Sequence, residues 1–273
     1  MRIVNLIENT KGDRDCLFEH GLSFYVETKK HRILVDTGAG DSFIRNADRL
    51  SVDLKQVDMA VLSHGHYDHA GGISAFAQIN QKAVIYMHPL AGEPYFHEKE
   101  GKYRYIGVDS EILSLPQIVF TRGEKQIDDG IFLFGDVRGR KLWPSGNREL
   151  RVKNEDGYCQ DEFLHEQYLV LEEDGKRVLL SGCAHNGILN ILDRYREIFG
   201  SETDAVISGF HMRKKAGYTE EDIVVIREIG EKLKKSRTLF YTGHCTGETP
   251  FRIMKECMGE KLLYVHSGDE ILL

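Results

Sequence analysis

The chain lacks most of the features that mark whole classes of protein. Its five cysteines, Cys16, Cys159, Cys183, Cys245 and Cys257, are odd in number and include no C-x-x-C pair. That argues against a disulfide framework and for a reducing cytoplasm. Proline is scarce, with 5 residues against 27 glycines, and no Pro/Ser-rich linker divides the sequence. No apolar run approaches the roughly 18 residues that a membrane-spanning helix needs. Residues Met1-Arg2-Ile3-Val4-Asn5-Leu6 show neither the apolar core nor the small-residue cleavage site of a secretory signal. Positive charge is also short. A net charge of −7 predicts no nucleic-acid footprint, and the basic run from Lys232 to Arg237 lies in a helical pattern and reads as a solvated face.

What is present is an apolar content of 41% over 273 residues, enough for a real core and read as one domain spanning 1–273. Early strands are expected at Ile3–Ile7, Ser23–Glu27, Arg32–Asp36, Asp58–Ser63 and Ala83–Met87, with helices at Ser42–Leu50 and Gly72–Asn80. Residues 90–130 mix aromatics with charges and show no steady period, which suggests an insertion over a site. Ile131–Phe134, Glu166–Leu171 and Arg177–Ser181 return to strand character, and 136–165 reads as a polar loop. From residue 182 strands and helices alternate: helices at Ile188–Phe199, Thr219–Lys235 and Thr249–Met258, strands at Asp204–Ser208, Thr238–Thr242 and Leu262–Val265. Strand runs in both halves, flanked by helices, predict an α/β fold of two packed sheets with helices outside.

The densest chemistry lies in His64-Gly65-His66-Tyr67-Asp68-His69. Three imidazoles and a carboxylate within six residues, directly after an apolar strand, exceed what a structural loop needs. Such donors suit Zn, Fe(II) or Mn. Residues two apart in an extended loop point the same way, so His64 and His66 can chelate one ion, while Asp68 and His69 begin the next turn and face a neighbouring position. Further histidine blocks follow: Ser181-Gly182-Cys183-Ala184-His185, Ser208-Gly209-Phe210-His211 and Thr242-Gly243-His244-Cys245-Thr246-Gly247. Upstream stand Glu19-His20-Gly21-Leu22-Ser23 and Val35-Asp36-Thr37-Gly38.

The H-x-H-x-D-H pattern after a strand, with Asp-Thr-Gly upstream, resembles the metallo-β-lactamase superfamily. The full set of blocks is similar to the subgroup named for 7,8-dihydropterin-6-ylmethyl-4-(β-D-ribofuranosyl)aminobenzene 5′-phosphate synthase. The resemblance implies an αββα sandwich, with two mixed sheets and helices on the outer faces. It implies two divalent ions, Zn first, with Fe or Mn as alternatives. His64 and His66 would bind one ion, Asp68 and His69 the other, and Asp68 would also orient a shared metal-bound hydroxide as a base. Asp36 would accept a hydrogen bond from a ligand imidazole, or simply cap its turn.

The remaining ligands are less directly given. Cys183 stands where the superfamily usually carries a bridging Asp, as a thiolate ligand or as an inert buried thiol. His185 is favoured as the third imidazole over His165. His211 ends a strand where the last His is usual. His244 is read as a site residue, a ligand or a phosphate contact, with Thr246 beside it as a substrate contact. Glu19 and His20 are carried over only as rim residues.

The function this predicts is a metal-dependent hydrolase. It would use a metal-bound hydroxide on a small phosphorylated or ester-like substrate, with homo-oligomerisation left open. The alternatives are a pterin/ribofuranosylaminobenzene-phosphate condensation and a non-catalytic, metal-stabilised ligand-binding protein. A diiron oxygen-reducing protein is disfavoured, because that class carries an acidic residue where His66 stands.

Overall fold

The computed structural model describes residues 1–273. Eighteen strands and six α-helices are numbered along the chain. The first half supplies β1 (Arg2–Ile7), β2 (Ser23–Glu27), β3 (Arg32–Val35), β4 (Met59–Val61), β5 (Val84–Met87), β6 (Tyr95–Lys99), β7 (Lys102–Tyr105), β8 (Ile118–Phe120), β9 (Lys125–Asp128) and β10 (Ile131–Phe134). The second supplies β11 (Leu150–Asn154), β12 (Gly157–Gln160), β13 (Tyr168–Glu173), β14 (Lys176–Leu180), β15 (Ala205–Ile207), β16 (Leu239–Thr242), β17 (Leu262–Tyr264) and β18 (Glu270–Leu272). The helices are α1 (Ser42–Arg49), α2 (Tyr67–Ala70), α3 (Ile73–Ile79), α4 (Ile188–Phe199), α5 (Glu220–Lys234) and α6 (Glu248–Met258).

Two seven-stranded sheets form, in the orders β18-β1-β2-β3-β4-β5-β8 and β17-β16-β15-β14-β13-β10-β9. Both are mixed. Antiparallel pairs at β1–β2 and β13–β14 give way to parallel runs, β3-β4-β5-β8 and β14-β15-β16-β17. The strands are apolar on both faces because both faces are covered. In β3, Ile33 and Val35 join the layer between the sheets, while Leu34 faces Phe43, Ala47 and Phe76 of α1 and α3. In β14, Val178 and Leu180 enter the same central layer, and Leu179 meets the α4–α6 side with Ile191, Ile229 and Met254. The architecture is the expected αββα sandwich.

Helix ends follow local chemistry. Thr219 caps α5 through a reciprocal capping box with Asp222, and Gly200 ends α4 in the left-handed conformation.

One expectation needs correcting. Residues 136–165 are not simply a polar loop. They hold β11 and β12, which join β6 and β7 in a third sheet of order β12-β11-β6-β7. Its strands read as Leu-Arg-Val-Lys-Asn and Lys-Tyr-Arg-Tyr and bury little, so no apolar alternation announces them. The small core of this sheet region, Tyr95, Ile106, Leu150 and Phe163, lies against the histidine cluster.

Parallel strands matter for placement. β3, β4, β14, β15 and β16 all deliver their carboxyl ends to one edge of the sandwich, where ligand sites of open parallel sheets form. Asp36, His64, His185, His211 and His244 each lie within a few residues of such an end.

Candidate metal centre

The turns at these strand ends are strained. Asp36, Ala184, His211 and His244 are non-glycine residues at φ of 58°, 52°, 49° and 51°. Each costs of order 1 kcal/mol or more and persists because its surroundings hold it. Four such residues on four converging loops are a signature of a built site. The loop of the H-x-H-x-D-H motif is held by close approach. A Cβ on Gly65 would stand 2.2 Å from the Ala91 carbonyl oxygen.

Four imidazoles present the same face inward. Asp36 Oδ2 accepts from His69 Nδ1 at 2.7 Å. Ser63 Oγ, which donates to Asp36 Oδ2 at 2.7 Å, accepts from His64 Nδ1 at 2.9 Å. Asn147 Oδ1 holds His185 Nδ1 at 2.9 Å, and Asn9 Oδ1 holds His244 Nδ1 at 2.9 Å. In each case an acceptor fixes Nδ1 as the protonated nitrogen and leaves the Nε2 lone pair for a cation. The Nε2 atoms of His64, His66 and His185 are buried without any hydrogen-bond partner. A buried orphan of this kind is costly, and three together fit a metal ion that completes them.

The donors fall into two groups around one sulfur. His64, His66 and His185 form a near-equilateral triangle, with ring centroids 4.6, 4.9 and 4.9 Å apart. Cys183 lies with His64 and His185, their donor atoms mutually within 4.8 Å, and also with His69 and His244. Its Sγ is 3.3 Å from His69 Nε2. Asp68 completes the second group: its Oδ2 is 3.5 Å from His244 Nε2, 3.9 Å from His69 Nε2 and 3.3 Å from His20 Nε2.

Charge states divide the same way. Burial holds His64 and His185 well below the ordinary histidine value and His66 at about 3, helped by neighbouring imidazoles. These three are neutral, as metal ligation requires. Burial also opposes charge on His69, but the Asp36 and Asp68 carboxylates outweigh it and lift His69 to about 9. Burial likewise works against an ionised Asp68, yet His69 and His244 keep it well below the usual carboxylate range. A divalent cation would replace the proton on His69 Nε2.

The residues singled out from sequence are thus mostly together. His64, His66, Asp68, His69 and His185 line one buried centre. His244 stands beside His69, with Nε2 atoms 3.1 Å apart, while His211 sits on the far side, its ring 4.1 Å from His185 and its donor atom grouped with Cys183 and Cys245. His165 uses both ring nitrogens elsewhere: Nδ1 accepts from Gly65 N at 2.8 Å and Nε2 meets Asp161 at 3.1 Å. Thr246 lies behind the centre, fully buried, its hydroxyl holding Phe210 N at 2.8 Å and Thr242 Oγ1 at 2.6 Å. Sequence reasoning did not find Asn9, Ser63 and Asn147, since lone Asn and Ser residues carry no spacing signal. Nor did it find Glu166, whose carboxylate accepts from the backbone of His185 and Asn186 at 2.7 and 2.9 Å.

An αββα sandwich with an H-x-H-x-D-H loop and histidines at the ends of its parallel strands defines a class. The chain belongs to the metallo-beta-lactamase superfamily, whose family model matches residues 17–158. It is 29% identical, over 99% of its own length and 96% of the relative's, to 7,8-dihydropterin-6-methyl-4-(beta-D-ribofuranosyl)-aminobenzene-5′-phosphate synthase of Methanocaldococcus jannaschii. An uncharacterised protein of the same organism is 28% identical over 89% of each chain. Among solved structures, Tm1679, described as a metal-dependent hydrolase of the beta-lactamase superfamily, superposes with a TM-score of 0.84. It is 29% identical, and the match covers 100% of this chain and 99% of that one. No helix is long and apolar enough to cross a membrane.

Proposed function

We propose that the protein is a dinuclear metal-dependent enzyme of hydrolase type, acting on a small phosphorylated or ester-like molecule. The observation that supports this most is the set of three buried, partnerless Nε2 atoms on His64, His66 and His185, next to a second donor group of Asp68, His69 and His244 sharing Cys183. His64, His66 and His185 would hold one divalent ion, Zn first, with Fe or Mn as alternatives. Asp68, His69 and His244 would hold the other, and Cys183 lies between them. His211 remains a candidate ligand on the Cys183 side. Such ions, when bound, acidify water and polarise a phosphoryl or carbonyl oxygen.

The chain's own residues supply the rest. Asp68 is the group placed to take a proton. Its Oδ2 faces His69, His244 and His20, His69 foremost in keeping it ionised, and it reaches His20, which is half exposed at the rim. His20 is held at about 4 by burial and is neutral at pH 7, so it can pass a proton between Asp68 and solvent. Phe163 stacks flat on His185 with centroids 4.4 Å apart, excluding water from that side.

Metal analysis together with turnover assays on phosphomonoesters, phosphodiesters, lactones and thioesters tests this reading. Close to two ions per chain and turnover of at least one ester class supports it. A full metal complement with no turnover on any class counts against hydrolysis. A second reading, a condensation on a ribofuranosylaminobenzene phosphate, is favoured by one observation: the full-length likeness to a relative named as a synthase.

A further inference from the structure

Glu8 follows β1 and is fully buried, 0% exposed. A carboxylate removed from solvent is costly unless it is hydrogen-bonded, and Glu8 is held by four neutral donors. Its Oε1 accepts from the His244 N–H in a short bond and from the Tyr264 hydroxyl at 3.2 Å. Its Oε2 accepts from the N–H and the hydroxyl of Thr10, both at 2.5 Å. The Thr10 oxygen in turn lies 2.6 Å from His266 Nδ1, and Ser267 Oγ accepts from Glu8 N at 2.8 Å. Backbone and carboxylate are thus both anchored where Glu8 reaches His244.

Asn9 grips the same residue. Its Oδ1 takes His244 Nδ1 at 2.9 Å, and its Nδ2 donates to the His244 carbonyl at 3.2 Å. The consecutive pair Glu8-Asn9 therefore occupies the N–H, the C=O and the Nδ1 of His244 and leaves only Nε2. That atom is the one beside His69 Nε2, at 3.1 Å, and Asp68 Oδ2, at 3.5 Å. The grip answers a strain: His244 sits at φ 51°, which a non-glycine residue keeps only when its surroundings hold it. Gly243 permits the approach. A Cβ there would stand 3.2 Å from Glu8 Oε1 and 2.8 Å from the Val265 carbonyl oxygen.

The clamp also crosses the sandwich. β1 shares a sheet with β4, which leads into Asp68 and His69, whereas His244 follows β16 in the other sheet. The second donor group is therefore split between the sheets, and Glu8-Asn9 ties its two parts together. In the first group, His185 is held by Asn147 and Glu166 instead, so that group does not depend on this link.

We infer that Glu8 is a positioning residue for the second ion, acting through the His244 backbone to keep Nε2 turned toward Asp68 and His69. This rests on the reading of His244 as a ligand of that ion and names what holds it in place.

A double-mutant cycle on zinc affinity, read by competition with a chromophoric chelator and by elemental analysis, tests it. Glu8→Ala should weaken the second zinc roughly 10- to 100-fold and leave the first within about twofold. In a His244→Ala background the same change should weaken zinc by no more than about twofold, because its route to the metal is gone. Glu8→Gln keeps the size of the side chain but has one acceptor oxygen for donors on two sides. It should fall between Glu8→Ala and wild type, and it carries the test if Glu8→Ala does not fold. Equal weakening of both zinc ions would make Glu8 a general structural residue and overturn the proposal. A second zinc lost in His244→Ala but unchanged in folded Glu8→Ala or Glu8→Gln would sink the clamp alone. Two tightly held zinc ions in His244→Ala would remove His244 from the ligands and the clamp with it. The expected zinc pattern without turnover of any ester sinks hydrolysis alone.

Discussion

Asp36 Oδ2 lies 2.7 Å from His69 Nδ1, both side chains buried, and the same carboxylate takes both the backbone N–H and the hydroxyl of Ser63. Through Ser63 it also orients His64. One carboxylate from the end of β3 therefore sets the tautomers of imidazoles in both donor groups. Asp36→Asn should keep the fold but lower metal affinity by about 10- to 100-fold, read by competition with a chromophoric chelator. Affinity equal to wild type would show that Asp36 only caps its turn.

His185 and His165 predict opposite outcomes, although both are buried histidines near His66. His185 has a free Nε2 and His165 has none. His185→Ala should therefore lose about one ion per chain. His165→Ala should retain both ions, yet cost about 1–3 kcal/mol in stability, because Asp161 and the Gly65 N–H lose their buried partner. Elemental analysis and chemical denaturation of the two variants check this. Full metal retention in His185→Ala would remove it from the ligand set.

Cys183 tests the identity of the donor between the groups. Burial and the neighbouring Cys245 push the Cys183 thiol up, so its Sγ, 3.3 Å from His69 Nε2, would ligate by giving up its proton to a bound soft or borderline ion. Cobalt-loaded wild type should then show a near-ultraviolet sulfur-to-cobalt absorption that Cys183→Ser lacks. The same band in both proteins would leave Cys183 as an inert buried thiol, or assign the sulfur to Cys245, which shares its donor group with His211 and Cys183.

The parts legible in the sequence were those governed by short-range rules. The H-x-H-x-D-H spacing places its own donors, and the strand-end position of Asp36, His185, His211 and His244 follows from the alternation of strands and helices. Which of His211 and His244 faces His69 was not legible. Both end parallel strands, and the choice depends on how the two turns cross: Cys245 takes hydrogen bonds from Met212 and Arg213 and so sets His244 inward. Asn9 and Asn147 reach the site from 235 and 38 residues away in sequence, a separation at which a single chain carries no pattern. The third sheet escaped notice because its exposed strands bury too little to show a period.

The metal-free protein should be acid-labile. His64, His66 and His185 titrate well below the unfolded value near 6.5, His66 at about 3. Below pH 6.5 the unfolded chain takes up protons that the folded chain does not, so stability falls as pH falls. The ceiling is about 1.4 kcal/mol per histidine per pH unit. His69, raised to about 9, acts in the other direction. Its contribution is complete below 6.5 and is lost as pH rises toward 9. Melting of chelator-treated protein should thus be best near pH 6.5 and clearly lower at pH 5. A melting temperature at pH 5 equal to that at 6.5 would mean that these imidazoles are not buried neutral.

Gly65 is the backbone counterpart of these side-chain tests. It sits between two ligand candidates, and a Cβ there would lie 2.2 Å from the Ala91 carbonyl oxygen and 2.8 Å from the Ala91 Cα. Both are backbone atoms at the end of a short turn whose residue Ala91 is fully buried, so neither can give way cheaply. Its N–H is also the donor to His165 Nδ1 at 2.8 Å. Gly65→Ala must push the loop away from Ala91, which carries His64 and His66 off their shared direction and stretches the bond to His165. The expected result is a loss of about 1–3 kcal/mol in stability and depletion of the ion held by His64, His66 and His185, with the Asp68 group less affected. Chemical denaturation and elemental analysis of the one variant read both effects, and a stable Gly65→Ala protein with wild-type metal content would show that the motif loop does not depend on this contact.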